Sequence, residues 1–227
     1  MPVAIPRKLV VLGDSSAYGW GDPENGGWCE RLRRHWMGLP DGPVLYNLGV
    51  RGDGLERLAA RLPGEVGCRG ELRRQGPQGI LINIGLNDTA RVGRSDGRHQ
   101  LAPEAFLFGL QQLLRQATAL APVLVLGLTP VDEAVMPYAG CLWYDLATVH
   151  RYERLLEEAC LEADVPFLPL LEPLRSDPHW LRLVDGDGLH LNAAGHHRIY
   201  EQVRLWPALL RWAELEALRA RTPALIS

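Results

Sequence analysis

Residues 8 to 21 read Lys8-Leu9-Val10-Val11-Leu12-Gly13-Asp14-Ser15-Ser16-Ala17-Tyr18-Gly19-Trp20-Gly21, and this stretch decides how the rest of the chain is read. Leu9 to Leu12 form a short continuous apolar run stopped by Gly13. Such a run, bounded by Gly and Ser, suits a central strand of a parallel sheet better than a helix. The polar cluster Asp14-Ser15-Ser16 follows at the carboxyl end of that strand. Open α/β sheets bind their ligands beyond those ends. Ser15 is therefore a candidate nucleophile, although taken alone it reads more simply as a helix cap.

Outward from this strand the chain alternates between two periods. Trp28, Leu32 and Trp36 recur every four residues within Gly26 to Met37, which predicts an amphipathic helix. Val44 to Leu48 is a second strand, and Asp53 stands before a helix from Gly54 to Leu62 with Leu55, Leu58 and Leu62 on one face. Pro63 to Gly79 is mixed and Gly-rich, with a short helix near Glu71. Ile80 to Ile84 is a third strand, followed by a polar segment, Thr89 to Leu101, read as a mobile loop over the strand ends. A helix from Pro103 to Leu120, a strand from Val123 to Leu128 and a long loop from Pro130 to Asp145 come next. A helix from Leu146 to Ala163, a strand from Val165 to Leu168 and a helix from Ala193 to Leu218, broken near Pro207, complete the series. Five buried strands alternating with helices imply a parallel sheet covered on both faces, a three-layer α/β/α sandwich. No linker or repeat interrupts the 227 residues, so residues 1–227 are expected to form one domain.

Composition narrows the function classes. A net charge of −3 offers no basic face for nucleic acid. No apolar run approaches the roughly 20 residues of a membrane span. The segment before the first strand has no basic region leading into an apolar one, so a cytoplasmic location is expected. Cys29, Cys68, Cys141 and Cys160 are scattered without a CxxC pair, which points to reduced packing residues and to no structural metal. No cofactor is implied.

Three predicted strands end in polar or glycine-rich blocks: Gly13-Asp14-Ser15, Gly49-Val50-Arg51-Gly52 and Gly85-Leu86-Asn87-Asp88. A fourth block, Asp187-Gly188-Leu189-His190, follows the fifth strand. A parallel sheet puts these ends on one edge. Singly, His190 reads as a packed or solvated histidine, Asp187 as a cap, Asn87 and Asp88 as turn formers and Gly52 as a loop glycine. Together they assemble one site. A serine hydroxyl needs a base, and imidazole titrates near neutral pH. Asp187 lies three residues before His190, so one short loop can carry both. Asp14 reads as structural, bonding backbone around the serine turn. A metal set of Asp185, Asp187, His190 and His196 is a weaker grouping, because it leaves Ser15 and Asn87 without a task.

The four blocks, in this order, resemble the SGNH, or GDSL-type, hydrolase superfamily, from about Lys8 to Gly195. Its marker residues correspond to Ser15, Gly52, Asn87 and His190. Ser16 replaces the leucine of the GDSL name, and Leu191 stands where many members have proline. The resemblance implies a five-stranded parallel, flavodoxin-like sheet and ester hydrolysis, with thioester cleavage or carbohydrate O-deacetylation as alternatives. It further implies Ser15 as nucleophile, His190 as base, Asp187 as orienting carboxylate, and an oxyanion hole from the Ser15 and Gly52 N–H groups and the Asn87 amide.

The expected partner is a small-molecule ester. Met136, Tyr138, Trp143 and Tyr144 either wall a substrate pocket or pack their loop onto the sheet. Arg91, Arg94 and Arg98 read as a solvated loop rather than an anion site. A catalytically silent ester- or carbohydrate-binding protein on the same fold stays open. A nucleotide binder is disfavoured, since no GxGxxG follows the first strand. The apolar segment with Leu205, Trp206, Leu209, Leu210 and Trp212 is expected to dock on the body of the chain, and the oligomeric state stays open.

Overall fold

A computed structural model describes residues 5–69 and 75–215 of the chain. It begins with β1 (Lys8–Gly13), α1 (Ser15–Tyr18), α2 (Gly27–Met37), β2 (Val44–Gly49) and α3 (Leu55–Gly67). Next come β3 (Gly79–Asn83), α4 (Leu86–Thr89), β4 (Arg91–Val92), α5 (Pro103–Thr118), β5 (Val123–Leu126) and β6 (Leu142–Trp143). The chain continues through α6 (Leu146–Glu162), β7 (Phe167–Leu168), α7 (Leu171–Arg175), α8 (Ala193–Leu205) and α9 (Pro207–Ala213). Among the described residues no helix is long and apolar enough to cross a membrane.

Five strands form one parallel sheet in the order β2-β1-β3-β5-β7. This is the flavodoxin-like order, with the first strand between the second and third. Every residue of β1 is buried, because the strand is paired on both sides and covered on both faces. Side chains alternate across the sheet. Leu9 and Val11 pack with Trp28, Leu32 and Trp36 of α2, Ile199 and Val203 of α8, and Leu209 and Trp212 of α9. Val10 and Leu12 pack with Leu58 and Leu62 of α3, Phe106 and Leu110 of α5, and Tyr152 of α6. The C-terminal apolar segment docks on the body: Trp212 stacks on Trp36, and its indole N–H donates to the Gln78 carbonyl at 2.8 Å. Trp206 is extended before Pro207, which separates α8 from α9.

Three expectations need correction. α3 continues through Pro63 to Gly67. The apolar spacing Leu55, Leu58, Leu62 extends to buried Val66, and that packing outweighs the proline. The two long loops are not independent covers. β4 and β6 pair antiparallel, Arg91 with Trp143 and Val92 with Leu142, so the loops form one ribbon. Cys29 and Cys160 are buried packing residues, whereas Cys68 and Cys141 are exposed; all four are free thiols. The short helix expected near Glu71 lies outside the described residues.

Two buried carboxylates fasten the helices to the strand ends. Glu153 of α6 receives the backbone N–H groups of Leu128, Leu170 and Leu171 on Oε1, at 3.0, 3.0 and 3.1 Å. It thereby serves the segments beyond both β5 and β7. Burial pushes its carboxyl up, against those same N–H groups. Asp88 of α4 faces the Leu55 N–H at the start of α3 with both oxygens, at 3.2 and 3.0 Å. Burial pushes Asp88 up to about 7, the Leu55 N–H opposing and the Asp14 charge adding to the rise.

Glu153→Ala strands three buried N–H groups and is expected to lower unfolding free energy by on the order of 3 kcal/mol in urea titrations. A loss below 0.5 kcal/mol would contradict this assignment. For Asp88 the native pKa lies above the unfolded one, so its stabilisation is full at low pH and is lost as pH rises through about 7. The stability of the protein relative to Asp88→Asn should therefore fall between about pH 4 and pH 7, by up to about 1.4 kcal/mol per pH unit. A difference that grows over this range would have the wrong sign.

Candidate active site

The carboxyl end of β1 turns directly into α1. Asp14 caps that turn, accepting the Ser16 N–H on Oδ1 at 2.8 Å. Ser15 is the first residue of α1, so its own N–H has no acceptor within the helix. The hydroxyl side of the turn faces a second loop, closed by the Val184–Leu191 bridge and by the Asp185 N–H donating to the His190 carbonyl at 2.7 Å. Asp187 organises that loop. Its Oδ1 accepts the Leu189 and His190 N–H groups, each at 2.9 Å. Its Oδ2 lies 2.6 Å from His190 Nδ1.

His190 Nε2 lies 3.0 Å from Ser15 Oγ. A carboxylate only accepts, so the ring proton belongs on Nδ1, and Nε2 is left to accept from the serine hydroxyl. Ser15 and His190 are 8% and 7% exposed, whereas the Asp187 side chain is 30% exposed. Burial works to raise the Asp187 carboxyl, but the His190 backbone N–H, the His190 ring and the Leu189 N–H hold it below the usual carboxylate range. The imidazole stands between two aromatic edges, Trp20 at 6.1 Å and Tyr138 at 5.7 Å between ring centres.

Asn87 lies in α4, beyond β3. Its Nδ2 donates to the Asp53 carbonyl at 2.8 Å and, more loosely, to Asp14 Oδ2 at 3.4 Å. The Tyr144 hydroxyl reaches Asn87 Oδ1 at 3.5 Å. Gly52 follows β2 in a left-handed conformation, φ +75°. An added Cβ would meet no protein atom within 4 Å, and the positive φ favours glycine here.

Buried charge surrounds these groups. Burial pushes Asp14 up to about 7, the Ser16 N–H opposing and the Asp53 charge adding to the rise. Asp53 in turn pairs with Arg61 Nε at 2.8 Å, and Arg61 Nη2 donates to the Gly13 carbonyl at 3.0 Å. Neither Asp53 nor Arg61 stands out in the sequence as part of a site, since their partners lie in other elements.

The aromatic residues divide. Tyr138 stands against His190 and Tyr144 is buried beside Asn87. Trp143 lies in the ribbon opposite Arg91; among the described residues no hydrogen bond or ring contact joins it to Ser15, His190 or Asn87. Trp20 escapes a pocket assignment by sequence, yet it flanks His190, and the guanidinium carbon of Arg51 sits 3.4 Å from its ring centre. A cleft of about 680 Å³ opens beside it, lined by Tyr18, Trp20, Asp22, Pro23 and Asp185. The loop arginines are engaged locally, Arg91 with the Gly97 carbonyl and Arg94 with Asp96. His196 is fully buried; its Nδ1 accepts the Trp28 N–H and its Nε2 donates to the Trp20 carbonyl. Both ring nitrogens are thus committed, and among the described residues no cluster of histidine, cysteine and acidic side chains could hold a metal.

Comparisons with known proteins fit this arrangement. The sequence model of the GDSL-like lipase/acylhydrolase family matches residues 11–198. No curated protein matches the chain. The fold is similar to that of a lipase/acylhydrolase from Enterococcus faecalis, with a TM-score of 0.69 at 18% identity over 93% of this chain and 96% of that one. TesA is similar at a TM-score of 0.67 and 22% identity, over 91% of this chain and 99% of that one. A psychrotrophic esterase, EstA from Pseudoalteromonas sp., in a structure inhibited by monoethylphosphonate, is similar at 0.63 and 16% identity over 94% and 99%. The family match spans most of the sequence, and the chain accordingly belongs to the GDSL-like lipase/acylhydrolase family, as an ester hydrolase.

Proposed function

We propose that the chain hydrolyses carboxylic esters through an acyl-enzyme on Ser15. The observation that carries this reading is the continuous hydrogen-bonded series from Asp187 through His190 to Ser15, at 2.6 and 3.0 Å. His190 Nε2 takes the hydroxyl proton as Ser15 Oγ attacks the ester carbonyl carbon. Asp187 stabilises the imidazolium that forms. The C–O bond to the alcohol breaks, and the alcohol leaves with the proton from Nε2. Water then repeats the sequence on the acyl-serine, releasing the acid and restoring the serine.

The tetrahedral intermediate carries its negative charge on the former carbonyl oxygen. The Ser15 N–H, free of an intrahelical acceptor, is the first donor in this reading. The Gly52 N–H is the second; among the described residues it has no acceptor. Asn87 is the third. Its amide keeps the 2.8 Å bond to the Asp53 carbonyl and gives up the looser 3.4 Å contact with Asp14. The elevated pKa of Asp14 favours this exchange, because a neutral carboxyl holds an amide N–H less strongly than a carboxylate does. Tyr138, at the edge of His190, borders the substrate in this reading, and Tyr144 acts through Asn87. Short-chain aryl esters are the preferred assay substrates. Free thiols at exposed Cys68 and Cys141 suit a reducing, cytoplasmic compartment.

A phosphonate ester probe distinguishes this reading from a catalytically silent protein on the same fold. It should label Ser15 and stop turnover, as the monoethylphosphonate-inhibited esterase suggests, and should leave Ser15→Ala unlabelled. Ser15→Ala is expected to abolish measurable ester turnover. Asn87→Ala should lower kcat by about 10²–10³-fold, the usual effect of losing one oxyanion donor. Unchanged turnover in Ser15→Ala would overturn the assignment.

A further inference from the structure

Trp20 is a large aromatic residue left 38% exposed, yet its backbone is held on every side. Its N–H donates to the Ser15 carbonyl at 3.0 Å, and its carbonyl accepts from buried His196 at 2.9 Å. The glycines on either side have φ of +93° and +98°. A Cβ on Gly19 would lie 2.0 Å from the Gly26 carbonyl oxygen, and one on Gly21 would lie 2.0 Å from that of Leu191. The loop is therefore packed backbone against backbone, and the indole is a fixed platform beside His190.

Arg51 lies over this platform. It is exposed, immediately precedes Gly52, and puts its guanidinium carbon 3.4 Å from the indole centre. Stacking occupies one face of the guanidinium and leaves its N–H edge available for a planar, two-point contact. Among the described residues Arg51 forms no ion pair, in contrast to Arg31 with Asp22, Arg61 with Asp53 and Arg94 with Asp96. A cation held over the ring that flanks His190, without an ion pair among the described residues, is complementary to an anionic substrate group.

We propose that Arg51 is a specificity residue that selects esters whose alcohol portion carries a carboxylate. The inference rests on the Ser15–His190 reading. In that reading His190 returns its proton to the departing alcohol, so the alcohol lies on the side of His190. Trp20, in ring contact with both His190 and Arg51, joins that side to the guanidinium.

The test compares 4-acetoxybenzoate with its uncharged counterpart 4-acetoxybenzamide, using the purified full-length protein and Arg51→Gln. The ratio of kcat/KM for the benzoate over that for the benzamide should fall about ten- to a hundredfold in the variant, the range for losing a charge-assisted contact. The same ratio should fall with added salt in the unmodified protein. A ratio unaltered by Arg51→Gln overturns the proposal. So does an anion preference that the variant instead removes on the acyl side, read as 4-nitrophenyl hydrogen adipate against 4-nitrophenyl hexanoate. If none of the four esters is hydrolysed, or Ser15→Ala hydrolyses them equally well, the serine-hydrolase reading itself falls and this inference falls with it.

Discussion

The carbonyl of Gly13 is the joint on which the site depends. It ends β1, and it accepts from the Val50 N–H at 2.9 Å and from Arg61 Nη2 at 3.0 Å. The first bond fastens the turn that carries Gly52 to the strand that leads into Ser15. Arg61 extends the link to the Asp53 carboxylate, and the Asp53 carbonyl receives the Asn87 amide. Three strand ends are thereby joined through one partly buried cation and a few backbone oxygens. A parallel sheet brings such ends to one edge, but only to within the spacing of neighbouring strands. This network sets the finer distances between the Ser15 turn, Gly52 and Asn87.

The same network explains the behaviour of the buried acids. Asp14, Asp53 and Asp88 are all buried in this region, and Arg61 is the cation paired with one of them. Buried carboxylates without a paired cation shift upward, because both desolvation and like charges disfavour the ionised form. Asp14 and Asp88 follow that rule. Asp187 departs from it: its carboxylate is lowered because two N–H groups and the His190 ring bond to it. Within one site, then, one acid remains ionised beside its histidine while two others approach neutrality at neutral pH. Depth of burial and local hydrogen bonding separate them together: Asp14 and Asp88 are 3% and 4% exposed, whereas the Asp187 side chain is 30% exposed and bonded to two N–H groups and the His190 ring.

The legible part of this architecture is the part with a period or a local signature. The buried run Leu9 to Leu12 marks β1, and the four-residue spacing of Trp28, Leu32 and Trp36 marks α2. The blocks around Ser15 and Asn87 sit at strand ends because strands stop where glycine and polar residues begin. Asp187 and His190 are three residues apart, and that spacing admits the bond between them. What the sequence leaves unread are pairs made across elements. Arg61 of α3 meets Asp53 in the turn before that helix, Tyr144 meets Asn87 from 57 residues away, and Arg51 meets Trp20 through tertiary packing. No local period announces such pairs. Pro63 misleads for a related reason: a backbone preference yields when the buried face continues to Val66.

Two kinds of boundary enclose the site, and their construction differs. The ribbon of β4 and β6 is held by a two-residue pairing, and Val92 in it is 41% exposed. The Gly93 N–H donates to the Cys141 carbonyl at 2.7 Å and the Tyr138 N–H to the Leu142 carbonyl at 2.8 Å, and Tyr138 and Leu142 pack against the core, so the ribbon reaches the site through side chains. The Trp20 loop, by contrast, packs backbone on backbone at both flanking glycines and is bonded to Ser15 and His196. Moving Trp20 would disturb the serine turn itself. The Trp20 side is thus tied to the Ser15 turn through the backbone. On the ribbon side Tyr138 stands against the His190 ring and the Tyr144 hydroxyl against Asn87. That asymmetry follows from the hydrogen bonds of the two loops and not from their composition, since both are rich in aromatic residues.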